Sequence, residues 1–456
     1  MRPVISFKES ECLLQAIKYS VLPIALVFSL ITKTVVAADL LSVYQAAQTY
    51  DTTFAAAAAA LRVGQEKNQQ ATALWLPKIN LTSNYGLNDT EASPSQKFRN
   101  QDEHATTWGY GVSLSQPIYD TQVSVGSHQL NDQAKLAVVQ FENAAQELIL
   151  RVVKVYLDVL LSQDKLEMVR AQKEAVSQQL DQAKQSFDAG ASTIVDIQEA
   201  QARYDGIIAS EIAAQNDLAV SRNAFTELTG MPAEGLGELN QHMVARGPQP
   251  ADVNEWLARG AANGLKIQEK RIALSIKAAE PNKYGAWRES TVSLQAGYDD
   301  GRKSSTSALT PDQTQSTYIG LKLNVPLYTG GNNSSKLREA LAEKEQAEDE
   351  LETSRRETAL EIKRAFLGVT TGASQISALK QALVSAQSSL ASTKLGREAG
   401  TRTTLDVLNA EQQLYSTRKD LAEARYTYLQ NRLKLTASVG ELSLHDLQVA
   451  NAALHS

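Results

Sequence analysis

The sequence predicts an α+β membrane protein in which one unit, two β-strands followed by a long antiparallel helical hairpin, is used twice. Three observations carry that reading. Ala189-Gly190, Asp196, Ala200 and Gly230 return as Ala399-Gly400, Asp406, Ala410 and Gly440, always 210 positions later, and Pro117-Ile118-Tyr119 returns as Pro326-Leu327-Tyr328, 209 later. Four short segments alternate apolar and polar residues. Positions 127–189 hold neither Gly nor Pro over 63 residues, which as one helix would reach roughly 95 Å at ~1.5 Å per residue. Repeats share a structural job rather than a reaction, so the pattern points to a wall, tube or spacer.

The first 38 residues read as a secretory signal. Arg2, Lys8 and Lys18 precede the apolar run 21–31, and Thr34-Val35-Val36-Ala37-Ala38 supplies small residues for cleavage. Eleven residues with Pro23 among them are too few to span a bilayer comfortably. The only cysteine, Cys12, lies in this leader, so a chain starting near Asp39 has neither a disulfide nor a thiol nucleophile. The leader holds four bases (Arg2, Lys8, Lys18, Lys33) and two acids (Glu9, Glu11), so its removal takes the formal charge from −6 to −8. Nucleic acid would need a basic stripe and is not an expected partner.

Past the leader the chain divides into a first repeat (39–230), a linker (231–250) rich in Pro and Gly, a second repeat (251–440) and a C-terminal segment (441–456). Helices 40–73 and 251–279 open the two halves. In the first, the alternating segments set Ile79, Leu81, Tyr85 and Leu87 against Asn80, Thr82 and Asn84, and Trp108, Tyr110, Val112 and Leu114 against Gly109, Gly111 and Ser113. In the second they set Val292, Leu294, Ala296 and Tyr298 against Ser293, Gln295 and Gly297, and Ile319, Leu321, Leu323 and Val325 against Gly320, Lys322 and Asn324. Each is a strand with one apolar and one polar face.

Strands of about ten residues with aromatic ends carry the pattern of a transmembrane barrel. Trp108, Tyr110, Tyr298 and Tyr318 are its expected aromatics, and polar connections run over 88–104 and 299–316. A lipid-embedded sheet cannot keep open edges. Four strands are too few to close, so the barrel must be shared: two copies give eight strands and three give twelve. Two soluble hairpins packed on helices are the other reading of the same periodicity.

The long helix 127–189 and its counterpart 333–395 end at turn glycines, Gly190 and Gly400, and helices 193–229 and 403–439 return. Gly368 and Gly372 in the counterpart predict a bend or change of register. Leu136, Val139, Leu148, Val152, Val155, Val159 and Leu166 recur at helical spacing, as a packing seam does. No enzyme emerges. The five histidines are scattered, His-Glu-x-x-His and a glycine-rich phosphate loop are absent, and no cofactor or metal motif is found.

The chain resembles the TolC family of outer membrane efflux proteins. The resemblance covers nearly the whole chain past the leader. It is clearest from Lys173-Glu174-Ala175 through Phe187-Asp188-Ala189-Gly190 to Asp196-Ile197-Gln198, and from Ala386-Gln387 through Gly400-Thr401-Arg402-Thr403 to Asp406-Val407-Leu408. It implies a homotrimer: a shared β-barrel in the outer membrane continuing into an α-helical barrel across the periplasm, serving type I secretion or drug efflux. It also implies docking onto a periplasmic adaptor and an inner-membrane transporter.

The resemblance further implies a periplasmic gate of polar links at the hairpin tips. Asp196 matches a linking carboxylate, Arg402 a linking guanidinium and Asp406 an acidic ring. Where the family pattern has Tyr, Thr and a second ring Asp, this chain has Arg397, Val195 and Asn409. Arg397 is expected to reach Asp196 as an ion pair, Val195 cannot accept from Arg402, and Asn409 leaves a ring of lower charge. In the plainer alternative Asp196 and Asp406 cap the returning helices. A soluble periplasmic coiled-coil adaptor or spacer is the second functional reading. It accounts for the hairpins but not for four amphipathic strands.

Overall fold

The computed structural model describes residues 39–90, 103–240, 243–285, 287–305, 312–452 and 454, all within the compact unit Ala37–Ser456. The expected leader and the middles of the two polar connections lie outside the described residues. The element order runs α1 (Leu40–Tyr50), α2 (Thr52–Ala73), β1 (Lys78–Thr90), β2 (Glu103–Asp120), α3 (Thr121–Asp188) and α4 (Ile194–Thr229). It then repeats as α5 (Val253–Asn263), α6 (Leu265–Ala279), β3 (Thr291–Ser305), β4 (Asp312–Asn324), α7 (Asn332–Glu398) and α8 (Thr404–Ser438), with α9 (Leu444–Ala452) at the end. No helix among the described residues is long and apolar enough to cross a membrane.

Both opening helices are split where one was expected. At Asp51 the carboxylate accepts from Thr53 N at 3.3 Å and Phe54 N at 3.1 Å, starting α2 while the Asp51 N–H closes α1 on Ala47 O. Gly264 divides α5 from α6, its N–H closing α5 on Gly260 O, with no side chain capping the start of α6. α3 begins at Thr121 because Asp120 caps it, and it absorbs Gly126. α7 continues as one helix through Gly368 and Gly372. Gly368 admits α8 closely, since a Cβ there would lie 2.8 Å from Asn431 Nδ2, whereas one on Gly372 would make an ordinary 3.5 Å contact with Tyr428 Cβ.

The four strands form one antiparallel sheet in the order β1-β2-β3-β4. Its ladders reach Thr90↔Glu103 and Lys303↔Asp312, well into the expected polar connections. Backbone pairing ignores side-chain polarity, whereas the alternation of the sequence reports only the apolar part of each strand. The ladder of β2 on β3 slips between Pro117 and Tyr119, at a proline that has no N–H to give. The matching Pro326-Leu327-Tyr328 falls beyond β4, so the two repeats leave the sheet differently.

Register puts Ile79, Leu81, Tyr85 and Leu87 beside Leu114, Val112, Trp108 and Thr106; Leu114 and Val112 pair in turn with Ala296 and Tyr298, and Ala296 and Leu294 with Ile319 and Leu321. This is one continuous apolar face. Ile79, Leu81, Tyr85, Leu87, Ile319 and Leu321 are all exposed. The opposite face holds Asn80, Thr82, Gly109, Gly111, Ser113, Gln295, Gly297 and Gly320. β1 and β4 have no second strand partner among the described residues.

The core lies midway along α3 and α7 and near the C-terminal ends of α4 and α8, where Leu148, Val152, Tyr156 and Leu157 of α3 join Phe225 of α4, Ile362 and Val369 of α7, and Leu429 and Leu433 of α8. A smaller cluster of Val176, Leu180, Ala200, Ile207 and Leu408 packs toward the hairpin tips. Of the expected seam, Val139, Leu148, Val152, Val159 and Leu166 are buried.

Candidate functional site

The two hairpin tips are built alike. After α3, Gly190 sits at φ 72°, with Gly190 N donating to Phe187 O and Ala191 N to Ser186 O, both at 2.8 Å. After α7, Gly400 sits at φ 73°, with Gly400 N donating to Arg397 O at 2.9 Å and Thr401 N to Gly396 O at 2.8 Å. This pair of bonds satisfies the last carbonyls of each helix, and its left-handed residue favours glycine. The tips then turn into α4 and α8 through capping boxes. Asp196 Oδ2 accepts from Thr193 N and Oγ1, and Asp406 Oδ2 from Thr403 N and Oγ1, all at 2.9 Å.

Both expected gate carboxylates therefore act as helix starts within the chain. The Thr403 backbone and hydroxyl bonds, with the nearby Arg402 charge, hold Asp406 below the usual carboxylate range. Arg402 folds over its own tip: a Cβ on Gly396 would lie 2.8 Å from Arg402 Cγ. Its guanidinium has no hydrogen-bond or ion-pair partner among the described residues. Val195 is exposed.

Arg397 does not bond Asp196 within the chain. Its guanidinium spans from α7 to α3, donating to Gln179 Oε1 and, at 2.6 Å, to Gln182 Oε1. Asn409 Oδ1 accepts from Arg203 Nη2 of α4 at 2.9 Å, and Gln172 Nε2 of α3 donates to Gln412 Oε1 of α8 at 2.8 Å. Three polar links thus join the two hairpins near their tips. Gln172, Gln179, Gln182, Arg203 and Gln412 were not singled out from the sequence. The available signal was Gln179, a polar side chain on the same helical face as Val176 and Leu180, and buried with them.

At the sheet, the Arg302 guanidinium carbon lies 4.8 Å from the Trp108 ring centroid, and the Tyr110 and Tyr298 rings are 6.3 Å apart. Buried Asp300, paired with Tyr110, accepts from Gln313 and Gln315. The apolar face thus ends in a band of aromatic and polar groups. Tyr318 lies on the opposite face, over Gly297, where an added Cβ would come within 2.6 Å of the ring.

Residues 43–231 and 271–441 match the outer membrane efflux protein family, taking in all four strands and both hairpins. This chain belongs to that family. Among its relatives, outer membrane protein TolC of Vibrio cholerae is 32% identical over 93% of this chain and 95% of its own length. The alkaline protease secretion protein AprF of Pseudomonas aeruginosa is 29% identical over 91% and 87%. The outer membrane protein VceC of Vibrio cholerae shares the fold, with a TM-score of 0.74 at 17% identity over 88% of this chain and 96% of that one. The family places the sheet in the outer membrane and the helical part in the periplasm. It sets aside the soluble adaptor or spacer.

Proposed function

We propose that three copies of this chain join β1 of one to β4 of the next, closing a twelve-stranded barrel whose apolar face meets lipid. The helical hairpins hang beneath as a tube across the periplasm. The carrying observation is the sheet itself: one continuous, largely exposed apolar face, small and polar residues on the other, and two edges without partner strands among the described residues. In lipid such edges cannot stay open. Twelve strands leave a lumen, whereas eight leave an interior that side chains fill.

The tube exports proteins or small toxic compounds delivered by an inner-membrane transporter through a periplasmic adaptor, and it is not an enzyme. Its periplasmic end is gated by Asp196, Arg397, Arg402, Asp406 and Asn409, on tips turned by Gly190 and Gly400. Chains carrying one introduced cysteine in β1 and one in β4, scanned in pairs, test the closure, because the chain past residue 38 has none of its own. Oxidised pairs should give a gel ladder ending at three copies, and a ladder ending at two would overturn the trimer. Deleting the gene should raise antibiotic sensitivity, lower secreted protein, or both. A null strain unaltered in both respects would rule out export.

A further inference from the structure

The linker between the repeats is fastened into a shelf. Lys380 Nζ of α7 donates to Met243 O at 3.1 Å. The Tyr428 hydroxyl of α8 accepts from Arg246 N at 3.0 Å and donates to Arg246 O at 2.8 Å. Trp256 Nε1 of α5 donates to Pro250 O at 2.9 Å. Tyr428 and Trp256 are both buried, so residues 243–250 are anchored on three helices. Beside this shelf lies a cavity of about 640 Å³, within the range of ordinary ligand sites.

Its charge is unbalanced. Arg246, Arg259 and Arg432 line it together with Glu441 and Asp446. Arg259 lies over the Trp256 ring at 5.5 Å and pairs with Glu441 Oε2 at 3.6 Å. Glu441 also accepts from Asn263 Nδ2 at 3.2 Å, and Asp446 Oδ2 is occupied by Ser443 N and Oγ at 3.0 and 2.9 Å. Both acids are therefore engaged. The Arg246 and Arg432 side chains have no hydrogen-bond or ion-pair partner among the described residues. Two uncommitted guanidinium groups thus face one concavity on a chain of formal charge −6. An arginine serving solubility alone needs neither an anchored shelf nor a second arginine across a groove.

We propose that this groove docks an extended acidic peptide segment of a partner protein, with two of its carboxylates taking Arg246 and Arg432. The guanidinium fork matches a carboxylate in two parallel bonds, and arginines in partly desolvated pockets commonly anchor protein interfaces. The lining also includes Val244, which is exposed, and Val369 and Leu435, which are buried. They suit a ligand that carries carbon between its anionic groups, as a peptide does and an inorganic anion does not. The groove lies on the linker, α5, α7, α8 and α9, away from the hairpin tips, so the proposal does not depend on how the tips close.

The test is fluorescence anisotropy of a labelled eight-residue peptide of alternating Glu and Ala on the full-length protein in detergent. Saturable binding that weakens with added salt is expected. The double variant Arg246→Ala/Arg432→Ala should bind at least about tenfold more weakly, with Arg246→Lys/Arg432→Lys between the two because charge remains and the fork is lost. A Lys-Ala peptide should not bind, and pyrophosphate should displace the acidic peptide only weakly. Absence of saturable binding, affinity unchanged in the double alanine variant, or pyrophosphate binding more tightly than the peptide would each overturn the proposal.

Discussion

Arg397 of α7 donates to Gln182 of α3 at 2.6 Å, joining two hairpins whose residues lie 215 positions apart in the chain. The second arm of the same guanidinium bonds Gln179, which is buried. Bonds to a charged donor contribute about 1.5–3 kcal/mol when well shielded. Arg397 is half-buried, so about 1 kcal/mol is the reasonable share. Arg397→Ala should then shift a closed–open balance roughly fivefold toward open, read as a higher open probability in planar bilayers. Arg397→Lys should fall between, because it keeps the charge and loses the fork.

Two carboxylates outside the sheet should give opposite pH responses. Asp406 is held below its ordinary 3.8 by its bonds to Thr403, so its support for the start of α8 is present above the unfolded value and is lost as pH falls through the folded one. Asp164 is raised, first by burial, against which the bond from Tyr426 at 2.8 Å only partly compensates. Its charged form therefore disfavours the fold as pH rises through its folded value. Asp164→Asn keeps an acceptor for Tyr426 and should raise Tm at pH 8, with the gain shrinking as pH falls through the raised folded value of Asp164. Asp406→Ala should speed amide exchange at residues 403–407 at pH 7, with the difference from the native chain closing below about pH 4. Calorimetry and hydrogen exchange read the two effects.

The turn glycines should not be equivalent. Gly190, Gly400 and Gly440 all have positive φ, but a Cβ on either of the first two meets nothing within 4 Å. One on Gly440 would lie 2.4 Å from Asn263 O and 3.1 Å from Asn263 C, both backbone atoms that cannot swing aside. Gly190→Ala and Gly400→Ala should cost about 1–2 kcal/mol for the left-handed conformation alone. Gly440→Ala adds a clash and should cost about 2–4 kcal/mol. Thermal unfolding of the three variants ranks them, and equal losses would contradict the steric account.

The parts of this fold legible in the sequence are those specified by neighbours along the chain. A glycine followed by Thr-x-x-Asp announces a tip, and Ile79, Leu81, Tyr85 and Leu87 announce a strand, because each signal lies within a few residues. The ends of the strands were hidden, since Asp89, Thr90, Lys303 and Asp312 pair through backbone groups that every residue carries. The break at Asp51 was hidden inside a helical composition, where one carboxylate capping two N–H groups outweighs propensity. The links Arg397–Gln179 and Arg203–Asn409 were illegible for a different reason. Their partners are 218 and 206 residues apart, and only the packing of one hairpin on the other brings them together.

Glu411 should be the most sensitive polar residue near the tip of the second hairpin. It is 1% exposed, with Oε1 held by Lys394 Nζ at 2.9 Å and Oε2 buried without a hydrogen-bond partner among the described residues. A buried carboxylate with one oxygen unmatched depends on its single cation. Lys394→Met removes that cation and should destabilise α7 against α8 by about 1–3 kcal/mol. Glu411→Gln should cost less, because a neutral amide is cheaper to bury than a lone charge. The double variant Lys394→Met/Glu411→Gln should recover stability relative to Lys394→Met, since no charge is then left unpaired. That coupling is read from a double-mutant cycle of thermal unfolding. Strict additivity of the two single changes would mean that the contact carries no interaction energy, and that the burial of Glu411 is maintained by packing with Val407 and Leu408 alone.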